Sequence, residues 1–160
     1  MTGPGQHDDA RLMKYRHVQL SVLSSTQIAS RTSKIISHLE EQPSEDGKPT
    51  VVSLTARAKA ASKLISIAEI AKRDLAARNI RYYQYNALDS ELADIPRDGR
   101  LKQSKESVGG AEEDEESDEA FETMDAPTGP TKKRSMPVMT IYFSKVPIKE
   151  LKADYGEQRQ

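Results

Sequence analysis

The 160-residue chain has no cysteine and no tryptophan, and aromatic residues make up only 5% of it. Without cysteine there is neither a disulfide framework nor a thiolate metal site, and thiol redox chemistry is excluded, which fits a reducing nuclear or cytoplasmic setting. Long apolar runs are missing too. No stretch approaches the roughly 18 residues that mark a membrane span, and the opening Met1-Thr-Gly-Pro-Gly-Gln-His-Asp-Asp9 carries neither the basic nor the apolar region of a signal peptide. A soluble protein, not secreted by that route, is expected.

Histidine is also scarce. His7 falls in a polar tail, His17 at the start of a strand-like run and His38 at the end of a helix-like one, so no ligand set or nucleophile–base pair is in view. No glycine-rich phosphate loop occurs, and the acidic clusters lie in low-complexity sequence, where carboxylates are not preorganised. The expectation is a protein that is not an enzyme and uses no cofactor or metal.

What is present is charge, unevenly spread. With 31% charged and 36% hydrophobic residues the chain is too polar to pack along its whole length, so one core of about 100 residues with flexible extras is expected. The net charge of -1 conceals a separation. Residues 11–88 hold 13 Lys and Arg against 6 Asp and Glu, residues 89–130 hold 4 against 14, and residues 131–160 hold 7 against 3. Two basic segments flank an acidic one.

Hydrophobic spacing supplies the elements. His17 to Leu23 alternates, with Val18, Leu20 and Val22 on one face, as in a half-buried strand. Ser24, Ser25 or Thr26 can cap a helix, and Ile28, Thr32, Ile35, Ile36 and Leu39 then recur at helical spacing up to Pro43. Gln42–Pro49 has turn composition, and Thr50–Ala56 reads as a second strand. A long helix follows, with Ala60, Leu64, Ile67, Ala68, Ala71 and Leu75 in one stripe that must bury against a sheet.

Ile80–Leu88 reads as a third strand and Met136–Ser144 as a fourth, with Met139, Ile141 and Phe143 alternating against Val138, Thr140 and Tyr142. The predicted fold is α+β, a β-α-β-α-β-β two-layer sandwich with both helices on one sheet face. The expected organisation is a flexible N-terminal tail over 1–14, the first part of the domain over 15–89, an acidic disordered insert over 90–135, the last strand over 136–146 and a polar C-terminal tail over 147–160.

That element order alone names no function. The run Thr55–Ile70 says more: Ala56, Arg57, Lys59, Ala60, Ser62, Lys63, Ala68, Glu69 and Ile70 fit a pattern that resembles the central motif of the Alba family of nucleic-acid-binding proteins. Lys72-Arg73, Tyr83-Gln-Tyr-Asn86 and Ile141-Tyr-Phe-Ser-Lys145 resemble its eukaryotic branch, which includes small subunits of ribonuclease P and ribonuclease MRP. The likeness spans roughly Val18–Leu88 and Val138–Lys145. Ala58 stands where the family has glycine, so a positive φ is not expected there. Ser24-Ser-Thr-Gln27 replaces the lysines that open the first helix in archaeal members, whose basic arm between strands three and four is acidic here.

Arg57, Lys59 and Lys63 are the leading nucleic-acid-binding candidates. They sit at a strand end and the following helix start, where cations and the positive helix end face phosphates together. From charge alone an ordinary solvated helix start explains them as well; the resemblance favours binding. Further candidates are Arg81, Tyr83 and Tyr85, as a cation and rings for unstacked bases, with buried sheet tyrosines as the plainer alternative. Lys132, Lys133 and Arg134 are candidates for phosphate contact or nuclear import. Lys72 and Arg73 are within reach of local pairing with Glu69. Ser117 is a phosphorylation candidate among acids.

The resemblance implies RNA, or else DNA, as partner, and a homodimer or a heterodimer with another Alba-type chain whose interface the sequence does not define. Two other readings remain open: a chromatin-type protein binding duplex DNA without sequence preference, and an assembly subunit acting through protein contacts.

Overall fold

A computed structural model describes residues 11–41, 47–96 and 131–159. Residues 1–10, the middle of the first loop, and the acidic run with Ser117 lie outside this description. The chain divides into two compact units, one formed by Met1–Leu92 with Ser135–Gln160 and the other by Ala93–Arg134.

The first unit is built on a five-stranded sheet in the order β1-β2-β4-β3-β5. In chain order the elements are β1 (Arg16–Ser21), α1 (Ile28–Glu40), β2 (Thr50–Arg57), a single 3₁₀ turn (Ala58–Ala60), α2 (Ala61–Ala77), β3 (Tyr83–Pro96), β4 (Thr131–Ser144), α3 (Lys149–Tyr155) and β5 (Gln158–Arg159). β1 runs parallel to β2, with Val18 beside Val52 and Leu20 beside Leu54. β4 runs antiparallel on the other side of β2, with Leu54 opposite Ile141 and Val52 opposite Phe143. Of the second unit, the described parts are the far ends of β3 and β4.

The main core lies between the sheet and the two long helices. All six residues of the expected α2 stripe are buried, as are Thr32, Ile35, Ile36 and Leu39 of α1. They meet Val52, Leu54, Ala56, Ile141 and Phe143 from the sheet. α2 ends in a left-handed residue, Asn79, at φ 56°. Its N–H returns to the Ala76 carbonyl and that of Ile80 to Leu75, a closure that caps the helix and turns Ile80 and Tyr82 into the core. Tyr82 meets Phe143 edge to face at 6.3 Å.

The opposite sheet face carries a second, smaller core, and here the expected organisation needs correction. The described part of the segment 147–160, up to Arg159, is not a tail. Ile148 and Leu151 are fully buried with Val51, Tyr85, Ala87, Tyr142 and Leu12. Ile148, Leu151 and Tyr155 recur at helical spacing, so the short α3 buries one side even though its other residues are polar. Leu12 belongs to the same cluster, so the ordered domain begins inside the expected 1–14 tail, and Arg11 pairs with Asp154 of α3. The fold is α+β as expected, but the sheet is covered in part on its second face. The two last-paired strands also exceed their expected limits, β3 reaching Pro96 and β4 starting at Thr131.

Tyr85 fastens this second layer. Its hydroxyl accepts the Ile148 N–H at 2.8 Å and donates to the Glu157 carboxylate at 3.1 Å. Burial pushes the Tyr85 pKa up to about 12, against the opposing pull of the Ile148 N–H and with the help of Glu157. A folded-state pKa above the unfolded value means that the folded chain holds this proton more tightly. The resulting stability is complete below about pH 10 and is lost as pH rises toward about 12. Tyr85→Phe leaves the buried Ile148 N–H without its acceptor, so we expect a loss of about 1–3 kcal/mol in urea unfolding near neutral pH. The variant should also lose most of the alkaline destabilisation expected of the parent between about pH 10 and 12. An unchanged alkaline profile would show that Tyr85 does not fasten α3.

Candidate nucleic-acid interface

β2 is buried from Thr50 to Leu54, because it is flanked by strands on both edges and covered on both faces. Arg57, its last residue, is the first to be exposed. Alternation puts Arg57 on the face of Ser53 and Thr55, away from the long helices. Its guanidinium meets Glu91 of β3 at 2.5 Å, with the arginine side chain 62% and the glutamate 28% exposed.

After Arg57 the chain makes its single 3₁₀ turn and enters α2 at Ala60, which caps nothing with its side chain; the first helical turn contains no acidic residue. The positive helix end is therefore not offset locally. Lys59 lies on the turn, exposed, and makes no ion pair with any described residue. Ala58 is the turn's first residue and keeps a negative φ, as its side chain leads one to expect.

Lys63, in the first turn of α2, is only half-exposed. Its ammonium donates to the Ser24 carbonyl and so ties the β1–α1 loop to the helix start. The same loop is closed by Thr26, whose N–H bonds the Leu23 carbonyl at 3.0 Å and whose hydroxyl accepts the Leu23 N–H at 2.8 Å. An ammonium has three N–H donors, so Lys63 can hold the loop and still face an anion.

The run Arg57–Lys63 thus brings the three leading candidates to one strand–turn–helix junction. The others are elsewhere. Arg81 is exposed ahead of β3, whereas Tyr83 is half-buried and Tyr85 fully buried in the second core. A ring packed under α3 cannot stack on a base, so Tyr85 is not a binding residue; the plainer alternative of a buried sheet tyrosine is the correct one. Lys132, Lys133 and Arg134 lie on β4 in the second unit, with Lys133 and Arg134 exposed. Lys72 pairs with Glu69 at 2.5 Å, a local helix pair. Two participants were missed from sequence: Glu91, which looked like part of the acidic insert, and the Ser24 carbonyl, which no side-chain pattern can reveal.

Among the described residues there is no cluster of His, Asp and Glu able to hold a metal ion, and no helix long and apolar enough to cross a membrane. An interior strand of the α+β sheet thus delivers an arginine to a helix start that has no side-chain cap. Residues 18–91, which contain this junction, match the family model described as Alba. Among solved structures the chain is similar to Alba from Thermoplasma volcanium, at 9% identity and a TM-score of 0.41, with 79% of this chain and 98% of that one covered. No curated protein matches it.

The two lysines differ in a way that hydrogen exchange can read. Lys63→Ala should speed exchange of the Leu23 and Thr26 amides several-fold by freeing the loop, whereas Lys59→Ala should leave them unchanged. Equal exchange in both variants would contradict the tether.

Proposed function

We propose that this chain is a non-catalytic RNA-binding protein that offers Arg57, Lys59 and Lys63 to the phosphate backbone. The observation that carries the reading is the helix start of α2: it has no side-chain cap and no acid in its first turn, and it directly follows an exposed arginine and lysine. The helix dipole and the cations act on the same anion there, and such contacts fix a protein on nucleic acid without reading sequence.

Two features of the sequence favour RNA over packaged duplex DNA. The lysines that open the first helix in archaeal relatives are replaced by Ser24-Ser-Thr-Gln27, and the connection between β3 and β4 is strongly acidic. The resemblance to the eukaryotic branch extends the proposal to a subunit of ribonuclease P or MRP, working in the nucleus or cytoplasm as a dimer with itself or another Alba-type chain. Affinity capture that recovers one of those RNAs with a second Alba-type protein supports this finer reading. Capture without either RNA counts against it.

Each phosphate neutralised contributes about 0.7–0.9 to the slope of log affinity against log salt. The combined change Arg57→Ala, Lys59→Ala, Lys63→Ala should therefore weaken binding to an RNA stem-loop and lower the slope by about that amount per lost contact. An unchanged affinity and slope would remove the site, and tighter binding to a duplex DNA of the same length at matched salt would replace RNA with DNA.

A further inference from the structure

Glu91 is the one carboxylate in ion-pairing contact with the proposed site among the described residues, and its position is set by the sheet. β3 lies beside β4, which in turn lies beside β2, and Arg57 stands opposite Val138 of β4. The Arg57 side chain therefore reaches over the intervening strand to meet Glu91. Glu91 is the less exposed partner, 28% against 62%. The arginine is thus the partner that an anion from solvent reaches first.

We propose that Glu91 is an internal competitor for nucleic-acid phosphate: in the free protein it occupies the Arg57 guanidinium, and binding requires Arg57 to exchange this carboxylate for a phosphate. This rests on the reading of Arg57 as a phosphate contact. The chemistry is symmetrical, since a guanidinium presents the same planar fork to a carboxylate and to a phosphate. A phosphate that engages Arg57 while Glu91 stays in place brings two anions to one cation, and their repulsion weakens the complex. The pair thus lowers affinity for every backbone anion and leaves the pathway to sequence preference untouched. An exposed ion pair is weak, so it is readily displaced by a polyanion that offers several phosphates at once, and much less readily by an isolated one.

The test is a double-mutant cycle on the full chain, with a fluorescein-labelled RNA stem-loop as probe. Glu91→Gln preserves the shape of the side chain and removes its charge, and should tighten binding about two- to five-fold, the range expected for an exposed ion pair. Arg57→Ala should weaken binding. In the Arg57→Ala background, Glu91→Gln should have little further effect. Asp74→Asn, on the exposed side of α2, serves as the charge-matched control and should give a smaller gain.

If Arg57→Ala weakens binding but Glu91→Gln leaves it unchanged or weakens it, Glu91 is not a competitor, although the site stands. A gain of equal size without Arg57, or equal to that of Asp74→Asn, reduces the effect to net charge and overturns the proposal. If Arg57→Ala is harmless, the reading of the site itself falls.

Discussion

The structure depends on the burial of one strand. β2 has a neighbour on each edge and a hydrophobic layer on each face, so Thr50 to Leu54 are buried and their side chains alternate between two cores. Val52 and Leu54 hold the long helices, while Val51 holds the C-terminal helix and Leu12. Such a strand cannot slip by one residue without sending each side chain into the wrong core. Its register is therefore fixed, and so is the place where it leaves the sheet. Arg57 is exposed at that place because the core ends at Ala56.

The same constraint explains why the basic residues form a junction rather than a scattered surface. A fixed strand end, a single tight turn and a helix anchored by Ala60, Leu64 and Ile67 leave little freedom to the backbone between Arg57 and Lys63. Lys63 adds a link to the β1–α1 loop, so three pieces of chain converge on the start of α2. The Arg57 side chain extends from this backbone into solvent and rests against Glu91 on β3.

Much of this was legible in the sequence. The α2 stripe was readable because Ala60, Leu64, Ile67, Ala68, Ala71 and Leu75 repeat over about four turns, and the basic junction was readable because its residues lie close together in the chain. The C-terminal layer was missed because Ile148, Leu151 and Tyr155 are only three apolar residues among charged ones, a pattern too short to stand above its surroundings. Tyr85 stayed a candidate beside its plainer reading as a buried sheet tyrosine for the same reason: its hydroxyl is satisfied by Ile148 and Glu157, which belong to the segment read as a tail. Glu91 was counted with the acids beyond it, since composition averages over a boundary that only strand pairing defines. Long-range pairing, such as Arg57 with Glu91 or Lys63 with the Ser24 carbonyl, leaves no periodic mark in a sequence.

The central claim is that nucleic acid meets the strand–turn–helix junction and not the second core. Amide chemical-shift mapping of the ¹⁵N-labelled chain during titration with an RNA stem-loop tests this most directly. The account predicts that the largest shifts fall on residues 57–63 and the adjoining 23–26, with the amides of α3 nearly unmoved. Shifts concentrated on α3 and β5, with the junction silent, would contradict it.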